Sequence, residues 1–249
     1  MTKLDYANWV STKFIYGPLI VSIPFLGLSF ISPVFAIVAA LCLLISAYFV
    51  YARYKFSPRG GGIQPKIWGR LLDQLGWDGE GQALDIGCGN GPLVVALAQR
   101  HLQACVIGID YWGRAWDYSK AVCERNAEIG GVADRTNFQK ASASALPFED
   151  GFFDAAVSNF VFHEVHDVRD KRELVREALR VVKKGGRFAF QDYFVVNVLY
   201  GELDDLLETI KDWGIAEVSF LDTSTSDFIP RALKLPFMLG KIGIIYGTK

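Results

Sequence analysis

The stretch ALDIGCGNG, residues 83–91, runs from an apolar segment that is typical of a buried strand into a helical segment that starts at Pro92. Its three glycines let the backbone turn sharply and approach a ligand, and the amides at the start of the following helix can bind polar or charged groups. Asp85 lies two residues before the first glycine, where a dinucleotide-binding turn normally carries an apolar residue. Because its carboxylate would repel a pyrophosphate and attract an ammonium or sulfonium group, we expect a ligand that is cationic near this turn.

Strand-like and helical segments alternate along the chain from this turn onward. The predicted strands are 83–86, 104–109, 136–139, 155–159, 187–192, 217–221 and 242–246. The predicted helices between them are 92–100, 116–127, 170–182 and 203–213. Such alternation is typical of a parallel sheet that is covered on both faces by helices. The last two strands have no long helix between them, so an antiparallel pair is expected at that end.

The second predicted strand ends at Asp110, within VIGIDYW, residues 106–112. A carboxylate at this place can accept hydrogen bonds from both hydroxyls of a ribose, and an apolar neighbour can cover a base. Asp110 alone could equally be a helix N-cap. Its occurrence together with Asp85 favours the ligand-binding interpretation.

Together these motifs resemble those of class I S-adenosylmethionine-dependent methyltransferases. The resemblance covers roughly residues 66–249 and rests on four segments in the family's order and spacing: ALDIGCGNG at 83–91, VIGIDYW at 106–112, ALPFEDGFFD at 145–154 and LRVVKKGG at 179–186. It implies S-adenosylmethionine as the cofactor. It also implies an α/β fold with a Rossmann-like, seven-stranded methyltransferase sheet whose last strand is antiparallel.

The same resemblance implies which residues bind the cofactor. Asp85 and the glycine-rich turn would hold the methionine part, Asp110 the ribose hydroxyls, and Tyr111 or Trp112 would flank the adenine. The complete expected set is Asp85, Gly87, Cys88, Gly89, Asn90, Gly91, Asp110, Tyr111, Trp112, Ser142, Ala143 and Asn159.

The adenine edge is the one place where the sequence departs from the family's pattern. The family often has an acidic residue four positions before the Leu of LPF, where it contacts the adenine amino group. This chain has Ser142 there. A serine can still accept one hydrogen bond, and the amide of Ala143 remains available for the adenine ring.

Residues 158–167, SNFVFHEVHD, follow the fourth predicted strand, at the edge where open α/β sheets place substrates. This stretch resembles the loop of quinone-modifying and related small-molecule members of the family. His163 is the candidate general base, since a neutral imidazole can take a proton from a hydroxyl as it attacks the methyl group. Two alternatives remain: His163 could orient the loop through hydrogen bonds, and methyl transfer can proceed by alignment alone. Asp192 and Tyr193, after the fifth strand, are further pocket candidates.

No metal site is expected in this chain. The HEVH pattern at 163–166 lacks the spacing of the zinc-binding HExxH motif. Four cysteines occur without a CxxC pair, which excludes zinc-ribbon and redox-motif interpretations and is compatible with reduced thiols in a cytoplasmic domain.

Residues 14–52 contain no charged residue and no histidine. One helix of this length would measure about 60 Å, about twice the hydrocarbon core of a bilayer. Because Pro33 and several small residues lie near the middle, the sequence predicts a two-helix transmembrane hairpin, with helices at about 14–31 and 34–52. The predicted domains are an anchor over 1–57, a glycine-rich linker over 58–65 and the methyltransferase domain over 66–249.

Basic residues flank the predicted hairpin at both ends: Lys3, Lys13, Arg53, Lys55 and Arg59. The positive-inside tendency therefore places both ends, and the catalytic domain, in the cytoplasm. Two alternatives are a cleaved signal peptide, which normally has a shorter apolar region, and a hairpin that enters only one leaflet.

The apolar segment 227–240, between the last two strands, predicts a lipid-facing surface or a lid over an apolar substrate, with a buried crossover as the alternative. Residues 58–249 carry a net negative charge, so no nucleic-acid partner is expected.

The sequence thus predicts a membrane-anchored S-adenosylmethionine-dependent methyltransferase that acts on a small-molecule or lipid-like acceptor. One alternative is a non-catalytic, membrane-anchored scaffold or sensor that binds the same cofactor. Another is a nicotinamide reductase, with which Asp85 conflicts. The oligomeric state is not indicated.

Overall fold

The computed structural model of the chain describes residues 3–113 and 118–249. These residues form two compact units, of which the smaller is Asn8–Ile67 and the larger contains the other described residues. Along the chain, the boundary between the two units falls after Ile67. Residues 3–7 belong to the larger unit and not to the hairpin unit.

The larger unit is built on one seven-stranded sheet. Its strands are β1 Gly81–Ile86, β2 Ala104–Asp110, β3 Thr136–Lys140, β4 Phe153–Asn159, β5 Val182–Asp192, β6 Glu217–Asp222 and β7 Gly243–Thr248. Their order across the sheet is β3-β2-β1-β4-β5-β7-β6. The first five strands pair in parallel, and β7 is antiparallel to both of its neighbours. The predicted seven-stranded sheet with an antiparallel last strand is confirmed.

The described residues contain helices that match the four predicted between the strands, apart from their ends, and also a helix before β1 and a short helix after β5 that were not predicted. The helices of the described residues are α1 Lys13–Leu28, α2 Pro33–Phe56, α3 Ile63–Leu75, α4 Pro92–Arg100, α5 Lys120–Ile129, α6 Lys171–Arg180, α7 Asn197–Tyr200 and α8 Leu203–Asp212. Helix α5 begins at Lys120 because the Ser119 side chain accepts the N–H of Val122 as an N-cap. Of the predicted helix 116–127, residues 116 and 117 lie outside the described residues.

Strand β5 begins at Val182, inside the predicted helix 170–182 and well before the predicted strand 187–192. The pairing between β4 and β5 shifts register between Phe153 and Ala155. Gly185 has φ +81° in this part of β5, and its N–H donates to the carbonyl of Lys249 at 2.6 Å. Glycine interrupts the apolar alternation there, so the sequence pattern did not reveal the first half of the strand.

Two apolar cores cover the two faces of the sheet. Leu84 and Ile86 of β1 belong to the core that also contains residues of α6 and α8. Ala83 belongs to the core that contains residues of α3, α4 and α5. Because successive side chains of a strand point to opposite faces, Asp85 lies on the face of Ala83, beneath α4. Strand alternation therefore places this carboxylate at the start of the helix that follows the glycine-rich turn.

In the smaller unit, α1 and α2 form an antiparallel helical hairpin. Phe14, at the start of α1, stacks on Phe49, near the end of α2, with ring centroids 5.1 Å apart. The hydroxyl of Ser46 donates a hydrogen bond to the carbonyl of Ile15 at 2.7 Å. Early residues of one helix thus meet late residues of the other.

The two helices begin and end at other residues than the sequence predicted. Helix α1 ends at Leu28, whereas 14–31 was predicted, and α2 runs to Phe56, beyond the predicted 34–52. The Ser32 side chain accepts the N–H of Val34, and Pro33 occupies the first helical position, which fixes the start of α2. The predicted linker 58–65 contains a short 3-10 turn, Pro58–Gly60, and the first residues of α3.

Among the described residues, α2 is the one helix whose length and apolar composition suffice to cross a membrane, while α1 is apolar but shorter. Both helices expose large apolar side chains, including Phe14, Tyr16, Ile20, Ile23, Leu26, Val34, Ile37, Leu41 and Leu44. Exposed apolar surface on this scale normally marks a site of contact with lipid or protein.

Candidate functional site

The glycine-rich turn, residues 87–91, joins the end of β1 to the start of α4. Its three glycines have φ values of +72°, +56° and +78°, in the left-handed region that favours glycine. The N–H groups of Gly87 and Cys88 both donate to the carbonyl of Ile109 at 2.8 Å. These bonds attach the turn to the end of β2, so the carboxyl ends of the two strands form one continuous edge.

Asp85 is 1% exposed, and neither of its carboxylate oxygens accepts a hydrogen bond of normal geometry from a described residue. Burial and the negative charge of Asp110 raise the pKa of Asp85 well above its usual range, while the backbone N–H of Val94 opposes the shift. A buried carboxylate without partners is costly unless a ligand pairs with it. The arrangement therefore suits a ligand that brings a positive charge and hydrogen-bond donors.

Asp110 ends β2 beside the turn. Its Oδ2 accepts the N–H of Gly89 at 2.9 Å, and its Oδ1 accepts the N–H of Trp112 at 2.6 Å. Burial raises the pKa of Asp110, although the amides of Trp112, Gly89 and Tyr111 offset part of the shift. Each oxygen keeps a further lone pair, so the carboxylate is held in place and can still accept ribose hydroxyls.

The two aromatic residues after Asp110 differ in exposure. Trp112 has φ +44°, and its indole N–H donates to the carbonyl of Gly89 at 2.9 Å, which fastens the ring to the turn. Tyr111 is 66% exposed, and the ammonium of Lys140 lies 5.1 Å from its ring centroid. Either ring is close enough to Asp110 along the chain to cover a base, and Tyr111 is the more exposed of the two.

Ser142 and Ala143 lie next to the end of β2. The N–H of the preceding residue, Ala141, donates to the carbonyl of Asp110 at 3.1 Å. Ala143 is buried, and its backbone N–H has no acceptor among the described residues. The adenine-edge residues expected from the sequence are thus adjacent to the ribose-binding candidate.

Asn159, at the end of β4, supplies a second unpaired acceptor: its Oδ1 is buried and has no hydrogen-bond partner in the described part of the chain. Because β4 pairs directly with β1, with Ser158 opposite Ile86, this oxygen and the Asp85 carboxylate lie at the carboxyl ends of neighbouring strands. Unpaired acceptors on adjacent strands fit a ligand ammonium or sulfonium.

Two members of the predicted cofactor set turn their side chains into the protein. Cys88 is 3% exposed and belongs to the core on the α4 face. The Oδ1 of Asn90 accepts the N–H of Ser119, ahead of α5, at 3.1 Å. We therefore expect Cys88 and Asn90 to contact a cofactor through their backbone atoms.

His163 lies in a short 3-10 turn, Phe162–Glu164, after β4. Its Nδ1 is 2.7 Å from Oδ1 of Asp192, which is fully buried at the end of β5. The backbone N–H of His163 also donates to Oδ2 of Asp192 at 3.3 Å. With Nδ1–H donating to the carboxylate, Nε2 is the nitrogen that can exchange a proton with a substrate. The structure therefore pairs the predicted base with one of the two further pocket candidates.

Tyr193 completes this cluster, with its ring edge-on to the imidazole of His163 at 4.8 Å. Burial lowers the pKa of His163, but the carboxylates of Asp192 and Glu164 outweigh this effect and raise the pKa to about 9. Below that pH the imidazolium predominates. A proton-accepting role for His163 then requires the minor, neutral form, and the rate would increase with pH.

Among the described residues, no group of His, Cys, Asp and Glu side chains is arranged to hold a metal ion. The carboxylates near His163 are engaged with that residue: Oε1 of Glu164 lies 3.5 Å from its Nε2.

The apolar segment 227–240 is partly a crossover and partly exposed. Ile229, Leu233 and Leu239 are buried, whereas Phe237 is 66% exposed. The hydroxyl of Tyr193 donates to the carbonyl of Met238 at 2.9 Å, so the segment lies beside the His163 cluster.

Gly87→Ala is expected to destabilise the protein and weaken ligand binding at the turn. A Cβ on Gly87 would lie 2.2 Å from Cγ2 of Val161, in addition to the strain of φ +72°. Gly131→Ala is the matched control, because Gly131 has φ +69° and open space around it. The left-handed strain of roughly 1–2 kcal/mol is common to both variants, and the collision adds roughly 1–3 kcal/mol. Equal unfolding free energies for the two variants in urea would contradict the close approach of Val161 to the turn.

Residues 84–190 match the profile of a family described as "Methyltransferase domain". Among curated proteins, 27-O-demethylrifamycin SV methyltransferase of Amycolatopsis mediterranei is 31% identical over 134 residues, which cover 53% of this chain and 45% of that protein. The ubiquinone/menaquinone biosynthesis C-methyltransferase UbiE of Citrifermentans bemidjiense is 27% identical over 128 residues, which cover 51% of this chain and 52% of that protein. The chain spans less than two thirds of the length of the first curated relatives that it matches.

Solved structures share the fold at low sequence identity. Geranyl diphosphate C-methyltransferase from Streptomyces coelicolor A3(2), in complex with Mg2+, geranyl diphosphate and S-adenosyl-L-homocysteine, has a TM-score of 0.56 at 19% identity, covering 75% of this chain and 79% of that one. A geranyl diphosphate methyltransferase in complex with SAM has a TM-score of 0.57 at 20% identity, and the match covers 80% of this chain and 89% of that one.

Proposed function

We propose that this chain, whose residues 84–190 match the profile of a methyltransferase domain, is a membrane-anchored enzyme that uses S-adenosylmethionine to methylate a small, apolar acceptor. The observation that carries the proposal is the pair of unpartnered acceptors beside the glycine-rich turn. Asp85 and Asn159 offer buried oxygens, at the ends of neighbouring strands, to which no described residue donates a hydrogen bond of normal geometry. An ammonium and a sulfonium are the groups that such oxygens stabilise.

The cofactor supplies a methyl group on a sulfonium, ready for transfer to a nucleophilic atom. Asp85 and the amides of the turn would hold its methionine part, and Asp110 would accept its ribose hydroxyls. Tyr111 would pack against the adenine, and Trp112 would stabilise the turn through its hydrogen bond to Gly89. Ser142 and Ala143 would form hydrogen bonds with the adenine edge.

His163 would act on the acceptor. If the acceptor is a hydroxyl, Nε2 of His163 takes its proton as the oxygen bonds to the methyl group, and Asp192 stabilises the imidazolium through Nδ1. Because the pKa of His163 is about 9, the neutral form amounts to roughly a hundredth of the protein at pH 7. A carbon acceptor that is already activated would need only alignment.

A small-molecule acceptor agrees with the relatives' names, which include a rifamycin and a quinone-pathway methyltransferase. An apolar acceptor is favoured by the exposed Phe237 and by the aromatic cluster at His163. We propose that the hairpin brings the domain to the cytoplasmic membrane surface, where such acceptors concentrate.

The enzymatic proposal is tested by incubating the detergent-solubilised full chain with S-adenosylmethionine carrying a radiolabelled methyl group, together with quinols, phenols and total lipid extract. We expect label to enter an organic-soluble product, with Asp110→Ala as the inactive control. Label transfer that Asp110→Ala does not reduce, or the absence of any labelled product across acceptor classes, would count against the activity.

Leu44→Arg is expected to reduce retention of the full chain in alkali-washed membranes. Leu44 is 66% exposed at the middle of α2, where an arginine costs about 2.5–3.5 kcal/mol in a bilayer. Tyr54→Arg is the matched control, because Tyr54 is 55% exposed near the end of the same helix and lies between Arg53 and Lys55. Equal retention of both variants, or a wild-type chain that stays in the soluble fraction, would contradict the anchor.

A further inference from the structure

Ser142, Ser144 and Asp167 form a short chain of hydrogen bonds beside the end of β2. The hydroxyls of Ser142 and Ser144 lie 2.8 Å apart, and the hydroxyl of Ser144 donates to Oδ2 of Asp167 at 2.7 Å. The backbone N–H of Ser144 also donates to the hydroxyl oxygen of Ser142 at 3.3 Å. The carboxylate of Asp167 is thus the last acceptor in a series of hydrogen bonds that begins at the predicted adenine edge.

The number of protons on the two serine hydroxyls determines the direction of each hydrogen bond in this series. A serine hydroxyl has one proton to donate and two lone pairs to accept with. Because the proton of Ser144 is given to Asp167, the bond between the two serines must use the proton of Ser142. Ser142 therefore has no proton left to donate. One of its lone pairs receives the N–H of Ser144, and the other is free to accept one more donor.

The position of Ser142 determines what that donor could be. The N–H of Ala141 donates to the carbonyl of Asp110, so Ser142 lies directly beyond the ribose-binding candidate. One residue further, the backbone N–H of Ala143 has no acceptor among the described residues. The segment thus offers the Ser142 hydroxyl as an acceptor and the Ala143 N–H as a donor. On one edge of adenine, the amino group can donate to the first and the adjacent ring nitrogen can accept from the second.

We propose that Asp167, acting through Ser144, holds the Ser142 hydroxyl as a hydrogen-bond acceptor and thereby makes the site selective for a 6-amino purine over a 6-oxo purine. Asp167 is a positioning residue here, because it acts on the purine edge only through the two serines. This inference rests on the proposed cofactor site. It adds a determinant of base specificity that involves a residue 25 positions away from Ser142 in the chain.

The test compares the binding of two ligands, S-adenosylhomocysteine and its 6-oxo analogue S-inosylhomocysteine, to the detergent-solubilised full chain by calorimetry. In the wild type, the 6-oxo group faces a hydroxyl oxygen that cannot donate, and its affinity is expected to be at least about tenfold lower. In Asp167→Ala, Ser144 can accept or donate freely, so Ser142 can turn its proton toward the 6-oxo group. The ratio of the two dissociation constants should then fall by about five- to tenfold.

The 6-oxo analogue also carries a proton on the adjacent ring nitrogen, which opposes the N–H of Ala143. This penalty is the same in every variant and cancels from the comparison of ratios. Asp222→Ala is the matched control, because Asp222 accepts the hydroxyl of Ser224 at 2.6 Å at the far edge of the sheet. It should leave the ratio unchanged.

A rescue variant separates the proposed role from a merely structural one. Ser142→Asp combined with Asp167→Ala places an acceptor-only carboxylate at the purine edge, so it should restore the wild-type ratio. A ratio that is unchanged in Asp167→Ala, or that the double variant fails to restore, would overturn the proposal while S-adenosylhomocysteine still binds. Failure of S-adenosylhomocysteine to bind the folded wild type would instead overturn the proposed function, and this inference with it.

Discussion

Asp85→Asn is expected to weaken the binding of S-adenosylmethionine by roughly tenfold to a hundredfold, because a hydrogen bond to a charged group contributes about 1.5–3 kcal/mol. The same substitution should raise the unfolding midpoint of the protein without ligand. The carboxylate of Asp85 is buried and accepts no hydrogen bond of normal geometry from the described part of the chain, and asparagine removes its charge while keeping its shape. Calorimetric titration and thermal unfolding of the two proteins measure the two effects.

The stabilisation should depend on pH in a defined direction. Because the pKa of Asp85 is raised in the folded protein, the folded state favours the protonated, uncharged carboxyl. The stability that this protonated form contributes to the wild type is complete below the unfolded pKa of about 3.9. It is lost as the pH rises through the raised pKa, where the buried carboxyl must become charged. The difference in midpoint between Asp85→Asn and the wild type should therefore grow from pH 4 toward neutral pH.

Asp154→Asn is the matched control for both readouts. Asp154 lies near the start of β4, at the opposite end of the sheet, where its carboxylate accepts the N–H of Gln82 at 2.8 Å and pairs with Lys183 at 2.6 Å. Burial raises the pKa of Asp154, but these partners outweigh burial and lower it. Asp154→Asn should thus destabilise the protein and leave cofactor binding intact. Unchanged binding in Asp85→Asn would remove the proposed role of Asp85.

His163→Gln is expected to reduce kcat by about a hundredfold to ten-thousandfold if the acceptor must lose a proton, which is the usual contribution of a general base. In the wild type, kcat should increase with pH up to about 9, because the neutral imidazole is the reactive form. Asp192→Asn removes a carboxylate that raises the pKa of His163, so the pH range over which kcat increases should shift to lower pH. Rates of methyl transfer measured from pH 6 to pH 10 test both expectations.

His166→Gln is the matched control for this prediction, because His166 is exposed three residues further along the same loop. It should leave kcat unchanged. A loss of threefold or less in His163→Ala would rule out an essential base at this position. In that case alignment of the acceptor, and not proton removal, would account for the chemistry.

The fold could be predicted from the sequence because its local signals are strong. Apolar strands alternate with amphipathic helices, and Asp170, where the predicted helix 170–182 begins, is the N-cap of α6. The errors lie where glycine interrupts a pattern, as at Gly185 in β5, and where a helix continues beyond the end of its apolar run, as α2 does through Arg53 and Lys55 to Phe56. Burial and packing set those ends, and a single sequence does not encode them locally.

The residues of the candidate site were proposed from the sequence, and the structure adds contacts that the sequence did not indicate. Asp85 and Asp110 could be identified because a carboxylate next to a glycine-rich turn or at a strand end is unusual. The contacts of His163 with Asp192, and of Ser144 with Asp167, join residues that are far apart in the chain. Such pairs depend on strand order, so local sequence could suggest Asp192 by position but could not pair it with His163. The inward-facing side chains of Cys88 and Asn90 were likewise not indicated by the motif.

The most direct test of the central claim is calorimetric titration of S-adenosylmethionine and S-adenosylhomocysteine into the detergent-solubilised full chain, with Asp110→Ala alongside. We predict saturable binding of both ligands and a loss of affinity of about tenfold or more in the variant, equivalent to about 1.4 kcal/mol. Binding without turnover on any acceptor would favour a membrane-anchored scaffold or sensor over an enzyme. Absence of binding to a folded protein would contradict the cofactor site itself.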